Sequence, residues 1–376
     1  MEKPRKFLAT GVWLLVVSVA LGAAWTVKKI TNTAGGSNYP AIAVDGANVC
    51  VAWQDDTPGN CEIYFKKSTD GGATWQASKR LTYNTEDSRR PAIAVNGANV
   101  YVVWSDHAPG NNEIFFRWSA DGGATWESAK RLTNNAGNSY HADIAASGAQ
   151  LFVAWNDDTP GIDDIFFRQS ADSGATWQAA KQLTFNAGYS TRPDVAVRNT
   201  NVFLVWNDDT PGNSEAYFRR SVDGGANWLT SKRLTTTSGY SEGPSVAVSG
   251  ANVHVVWDDD TPGNGEIYFR TSADNGATWQ KAKRLTSNAG QSYLPVVAVS
   301  GAKIQVAWQD YSPGAYNIFF RNSTDGGVTW QARQNLSNST NQCEFPAVAV
   351  SDTAVYVVWE ESPVGNREIF CAYSPL

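Results

Sequence analysis

The chain is poor in the residues that most often build reactive centres. It holds one Met, three His and four Cys in 376 residues. His107, His141 and His254 stand far apart, so no histidine-based zinc motif exists. No Gly-x-Ser-x-Gly nucleophile elbow and no phosphate-binding glycine loop occurs. Charged residues make up 18% and the net charge is −6, which argues against a broad nucleic-acid-binding surface. Long runs of like charge, low-complexity segments and sustained helical periodicity are all missing. Only one long hydrophobic run is present, residues 7–24, preceded by Lys3, Arg5 and Lys6. It reads as a secretory signal cut before Trp25 or, uncleaved, as a membrane anchor, since 18 residues just suffice to span a bilayer. Either way the rest of the chain is expected outside the cell, secreted or surface-anchored.

What the chain has instead is glycine, tryptophan and repetition. The stretch Ser68-Thr-Asp-Gly-Gly-Ala-Thr-Trp75 returns five more times at intervals of 51 residues, up to Ser323–Trp330. The pattern is Ser-x-Asp-x-Gly-x-Thr-Trp, with Asn227 replacing Thr once. Its chemistry is that of a tight turn. The Asp accepts from backbone N–H groups ahead of it, the glycines supply positive φ, and the Trp anchors the turn on an apolar body. The structural pairs are Asp70 and Trp75, Asp121 and Trp126, Asp172 and Trp177, Asp223 and Trp228, Asp274 and Trp279, and Asp325 and Trp330. Of the 16 Trp residues, 13 fall on this lattice or on a second one of the same period, so they read as framework.

Each repeat carries four strand-like runs. In the second these are Pro91–Val95, Asn99–Trp104, Glu113–Arg117 and Lys130–Thr133. Four short strands per unit at fixed spacing predict a propeller blade. The second-strand Trp recurs at 53, 104, 155, 206, 257, 308 and 359, which makes seven units. The last unit stops before its fourth strand, and Trp25–Thr31 matches the missing run. The expectation is therefore an all-β, seven-bladed propeller of four-stranded antiparallel blades over residues 25–376. The N-terminal strand closes the ring in the last blade and removes the open sheet edges.

The Ser-x-Asp-x-Gly-x-Thr-Trp turn resembles the Asp box of sialidases and their many non-enzymatic relatives, the BNR-repeat propellers. The resemblance implies the fold. It also implies that ligands bind on the face opposite the Asp boxes. Seven units depart from the six blades of sialidases.

Two further patterns read as framework. Two positions after each second-strand Trp stands an Asp or Glu, and nine positions after it stands a second acid, Asn317 excepted. Paired carboxylates suit Ca²⁺. An Asp at a turn start also bonds its own loop, and the second acid has Lys66, Arg117, Arg168, Arg219, Arg270 or Arg321 nearby. No metal or other cofactor is expected, Ca²⁺ being the ion the donors suit. Cys50, Cys61, Cys343 and Cys371 all lie in the first and last units. A disulfide across the closure seam, or buried free thiols, fits that placement.

The blades differ most in the loop that enters the first strand, so function is expected there. The candidate ligand-binding residues are Arg90, Arg192, Arg367, Tyr140, His141, Tyr189, Tyr240, Glu242 and Glu344. Sialidases hold a substrate carboxylate with three Arg, and Arg90-Pro91 and Arg192-Pro193 partly resemble one of those motifs. No residue is assigned as catalytic. A non-catalytic module that binds a glycan or cell-surface protein is the first reading. A sialidase-like exo-glycoside hydrolase and a structural subunit of a surface assembly are the alternatives. Nucleic acid is not an expected partner, and a membrane is one only through residues 7–24.

Overall fold

The computed structural model describes residues 24–376 with the exception of Val364, so the expected signal or anchor lies almost wholly outside the described residues. The chain forms seven sheets of four antiparallel strands. In blade 1 these are Ser37–Asp45, Asn48–Asp55, Glu62–Ser68 and Lys79–Arg80, here termed the inner, second, third and outer strands. The second strand is the most buried because a sheet covers it on both faces, and it reads as a nearly continuous apolar run. The seven second-strand Trp residues are at most 2% exposed.

The seventh blade takes its outer strand from the other end of the chain. Thr26–Lys29 pairs antiparallel with the third strand of blade 7, Thr26 opposite Tyr373 and Lys29 opposite Phe370. Side chains complete the substitution. In blades 1, 2, 4 and 5 an outer-strand Arg pairs with the buried Glu that starts the third strand, as Arg80 does with Glu62 at 2.7 Å. In blade 7 Lys29 reaches Glu368 at 2.9 Å. The third-strand basic residues, expected to pair with these acids, donate elsewhere. Arg117 bonds the Leu81 carbonyl of the preceding blade and Lys66 bonds the Ile30 carbonyl at 2.7 Å. They are stitches between blades, because their long side chains cross the blade gap while the shorter outer-strand distance favours the Arg80-type partner.

The Asp box closes as its chemistry predicts. Ser68 Oγ donates to Asp70 Oδ1 at 2.7 Å, and Asp70 accepts the Thr74 N–H at 2.8 Å and the Thr74 hydroxyl at 2.5 Å. These bonds hold the exposed Asp70 carboxyl down at about 2. Five of the six box Trp residues pack edge-on against the third-strand Phe of the preceding blade, as Trp126 does on Phe65 at 5.1 Å and Trp228 on Phe167 at 4.9 Å, while Trp75 packs in the cluster of Cys371, which stands where that Phe would be. Trp25 takes the same position on Phe320 at 4.8 Å. The second glycine of the box passes so close to that Phe that a Cβ on Gly123 would lie 2.3 Å from Phe65. The box is thus an inter-blade clasp.

No disulfide crosses the seam. All four cysteines are free, Cys61 half-buried and the other three buried. Burial raises the thiols of Cys50, Cys343 and Cys371 to about 12, so they are inert neutral groups.

Candidate functional site

Chain direction sorts the loops onto two faces. The Asp box lies beside the hairpin between inner and second strands, where the Gly71 N–H meets the Ala47 carbonyl. The loop between second and third strands lies at the other end, beside the loop entering the inner strand, where the Gly36 N–H meets Asp56. Ligand candidates all belong to this second end.

Every inner strand is bulged near its start, for example between Asn38 and Ala41. In the bulge sits a residue in the left-handed region, six of the seven times before a proline. These residues are Tyr39, Arg90, His141, Arg192, Gly243, Leu294 and Phe345, with φ between 49° and 57°. The bulge breaks the ladder, so a proline is tolerated. Left-handed backbone costs a non-glycine residue roughly 1–2 kcal/mol. Gly243 shows that glycine satisfies the fold at this position. Six larger side chains are retained there in spite of the strain, and all seven residues rim one cavity of about 300 Å³ at the channel mouth. A cluster of strained positions at one mouth marks it as a candidate site.

The rim has two halves. Phe345 and Tyr39 are in ring contact at 4.4 Å, and the Arg90 guanidinium lies 4.7 Å over Tyr39. His141 and Arg192 follow, then the gap at Gly243, then Leu294. Burial lowers His141 to about 4, with the Arg90 charge next in effect, so its ring is neutral at pH 7. Its Nδ1 lies 3.0 Å from Asn156 Oδ1. Among the described residues, Arg90 and Arg192 have no carboxylate within 4.0 Å. The other arginines, Arg198 apart, pair with an acid or donate to a backbone carbonyl. Two uncommitted guanidiniums, one on each side of His141, stand at the mouth of an acidic protein.

Arg367 is committed. Its guanidinium lies 3.1 Å from buried Glu360 and 3.8 Å from Glu344, and it donates to Asn38. Tyr140 is half-buried, its hydroxyl 3.2 Å from Asn112. Tyr189 and Tyr240 are more than half exposed on the loops between blades, their N–H groups held by Asp209 and Asp260.

A second cavity, about 450 Å³, opens beside Arg192 and is lined by Tyr240, Glu242, Asp258, Asp260, Tyr293 and Gln309 among others. Asp258 is buried, and one oxygen accepts the Leu294 N–H at 3.0 Å. Burial lifts its carboxyl to about 8, with exposed Glu242 adding to the rise, so it holds its proton at pH 7. Asp258 belongs to a ring of side chains missed in the sequence, the residue directly after each second-strand Trp. Gln54, Asn207, Gln309 and Glu360 likewise accept the N–H of the left-handed residue in the next blade. The signal was available, since this column is polar in every repeat directly after a buried Trp.

The carboxylates two and nine positions after the Trp are framework. Asp55 accepts from Ser37 and from the Thr57 N–H, and Glu62 is tied to Arg80. Among the described residues no group of three or more His, Cys, Asp or Glu is placed to hold a metal ion.

Comparison with known proteins places this architecture. Residues 9–153 match the family model described as BNR repeat-like domain. A sialidase of Bacteroides fragilis (strain YCH46) is 23% identical over 335 residues, which cover 83% of this chain and 56% of that protein. The chain thus spans little more than half of that relative's length. Among solved structures, polysaccharide lyase Uly1 superposes with a TM-score of 0.63 at 10% identity, covering 92% of this chain and 91% of the lyase. The Hadza microbial sialidase Hz136 gives 0.55 at 15% identity, over 77% and 65%. At such identities the structures speak for the fold.

Proposed function

Starting from a seven-bladed propeller of the sialidase-like, Asp-box (BNR) repeat type, we propose that the chain is an extracellular module that binds an acidic glycan, without turning it over, on the channel mouth opposite the Asp boxes. One observation carries this reading: Arg90 and Arg192 flank His141 with no carboxylate within 4.0 Å of either guanidinium among the described residues, beside the apolar rim of Tyr39 and Phe345. Guanidinium donors suit a carboxylate or sulfate, and an aromatic rim suits the apolar face of a sugar ring. The loops around the mouth are short and near-equal in length, so they present a surface rather than enclose a substrate.

A second reading, exo-acting glycoside hydrolysis, is favoured by Asp258. A carboxylic acid protonated at neutral pH beside a carboxylate, Glu242, is the type of pair such chemistry uses. A glycan array together with fluorogenic sialoside and uronide substrates tests both. Binding that weakens in Arg90→Ala and Arg192→Ala and on adding salt, with no release of fluorophore, is the expected result. Turnover abolished in Asp258→Asn replaces the first reading with the second.

A further inference from the structure

The pseudo-sevenfold symmetry breaks in one sector, and the break makes a cavity. In five blades the residue after the second-strand Trp reaches across to the next blade's left-handed N–H. In blade 2 that residue is Ser105, too short to do so. Its Oγ is without a hydrogen-bond partner, although Ser105 is only 4% exposed. In blade 3 Asn156 has turned away, bonding His141 Nδ1 and Asp163 instead. Neither the His141 nor the Arg192 N–H receives the bond made elsewhere in the ring.

A second framework position changes in the same sector. Three positions after the Trp, Asp56, Asp158, Asp209 and Asp260 tie down the entering loop of their own blade junction. Blade 2 has half-buried His107 instead; blades 6 and 7 also lack the Asp, with Tyr311 and Ser362, but their Gln309 and Glu360 keep the cross-blade bond, so only blade 2 combines both changes. The two changes together, a shortened side chain and a lost carboxylate, open a cavity of about 580 Å³ that includes Ser105, His107, Tyr140, Asn156, Arg90 and His141 in its lining. That size lies within the roughly 300–1,000 Å³ of small-molecule sites.

We infer that this cavity is a monosaccharide subsite. It takes the ring of the acidic sugar whose anionic group rests on Arg90 and Arg192. The inference rests on the proposed glycan-binding reading and adds where the sugar sits. The chemistry of the lining suits hydroxyl and amide groups. Ser105 Oγ and the Tyr140 hydroxyl donate and accept, His141 Nε2 is an open acceptor when Nδ1–H faces Asn156, and Asn156 and Asn112 supply amides. The unpartnered Ser105 hydroxyl is the strongest pointer, since a buried hydroxyl is ordinarily satisfied. A sugar hydroxyl supplies the missing partner.

The decisive variant is Ser105→Gln. Gln54 and Gln309 show that glutamine at this position bonds the next blade's N–H, so the variant should fold and melt no lower than wild type while filling the cavity. Binding is measured by calorimetry with methyl β-D-glucuronide, methyl α-N-acetylneuraminide and acetate. The expected result has three parts: wild type binds one of the two sugars at least about tenfold more tightly than acetate, Ser105→Gln loses that preference, and its acetate affinity is unchanged because both guanidiniums remain. Ser105→Ala, which deletes only the hydroxyl, should weaken the sugar by about threefold to tenfold. Sugar binding that is lost with Arg192→Ala yet unaltered in Ser105→Gln overturns the subsite and leaves the glycan reading standing. Wild type binding neither sugar overturns both.

Discussion

Replacing Arg192 by glycine separates what the rim does for the fold from what it does for a ligand. Arg192 holds a φ of 52°, which costs a non-glycine residue roughly 1–2 kcal/mol. Glycine removes that strain, and its freedom in the unfolded chain gives back about 0.5–1 kcal/mol. The Arg192 side chain makes no bond or ion pair whose loss would offset the gain. The net expectation for Arg192→Gly is unchanged stability or a gain of up to about 1 kcal/mol, worth about 2–4 °C in Tm for a chain of some 200 residues and less for a longer one. Arg192→Ala keeps the φ requirement and gains nothing. Both variants should lose at least about tenfold in affinity for an acidic sugar, since a charge-assisted contact contributes about 1.5–3 kcal/mol. Denaturant unfolding gives the first quantity and calorimetric titration the second. A loss of more than about 1 kcal/mol of stability in Arg192→Gly would show that the arginine supports the bulge. The argument that strained side chains are retained for binding would then fail.

Trp228→Ala should cost about 2–3 kcal/mol, below the roughly 3–5 kcal/mol of a fully buried aromatic because Trp228 is half-buried, as the clasp on Phe167 goes with it; the affinity of the remaining folded protein should not change, and a selective loss of binding would reverse the two faces. A chain begun at Asn32 lacks the strand that pairs with the third strand of blade 7, so it should melt lower and self-associate compared with one begun at Trp25; equal melting and monomeric behaviour would refute ring closure. Stability should peak in mildly acidic solution. His141 and His254, both lowered to about 4 chiefly by burial, contribute stability that is present above pH 6.5 and lost as pH falls through about 4. Asp258 and Glu360, raised mainly by burial to about 8 and about 7, contribute stability that is present at low pH and lost as pH rises through those values. Asp258→Asn should therefore melt higher than wild type at pH 8, by a margin that shrinks as pH falls towards the ordinary carboxyl value of 3.8, Asn207 showing that an amide makes the same backbone bond; equal melting at pH 8 would mean that burial does not raise the Asp258 carboxyl.

How much was legible without coordinates differs by kind of feature. The Asp box, the blade count and the closing strand are local or periodic facts. A turn's bonds run between residues within a few positions, as from Ser68 to Asp70 and Asp70 to Thr74, and a 51-residue period repeats the same physical unit until the ring is full. Trp25–Thr31 was recognisable because it is a fragment of that unit. Side-chain partners across the blade gap were another matter: Arg117 stands four residues after Glu113 in the chain, yet it donates to Leu81, and Glu113 takes Arg131. Which arginine is committed also depended on the third dimension. Arg367 reads like Arg90 in sequence, but only Arg367 lands beside Glu360.

The same holds for the site. Arg90, His141 and Arg192 were identifiable as variable residues in equivalent loops, while their shared mouth follows from three blades meeting around one axis. Left-handed φ at Tyr39, Arg90 or Phe345 has no glycine to announce it. Ser105 was visible as the shortest residue in its column, but its orphaned hydroxyl exists only because blade 3 sets the His141 N–H beyond its reach. Asp258 looks like its neighbour Asp259 in sequence; packing between two blades, with one oxygen on Leu294, is what leaves it protonated. The sequence by itself determined the unit, its number and how the ring closes, because those depend on short-range turn chemistry repeated at a fixed period. Tertiary structure alone decided which charges stay free and where a cavity opens, because both depend on distances between residues about 36 or 51 positions apart that only closure of the ring brings together.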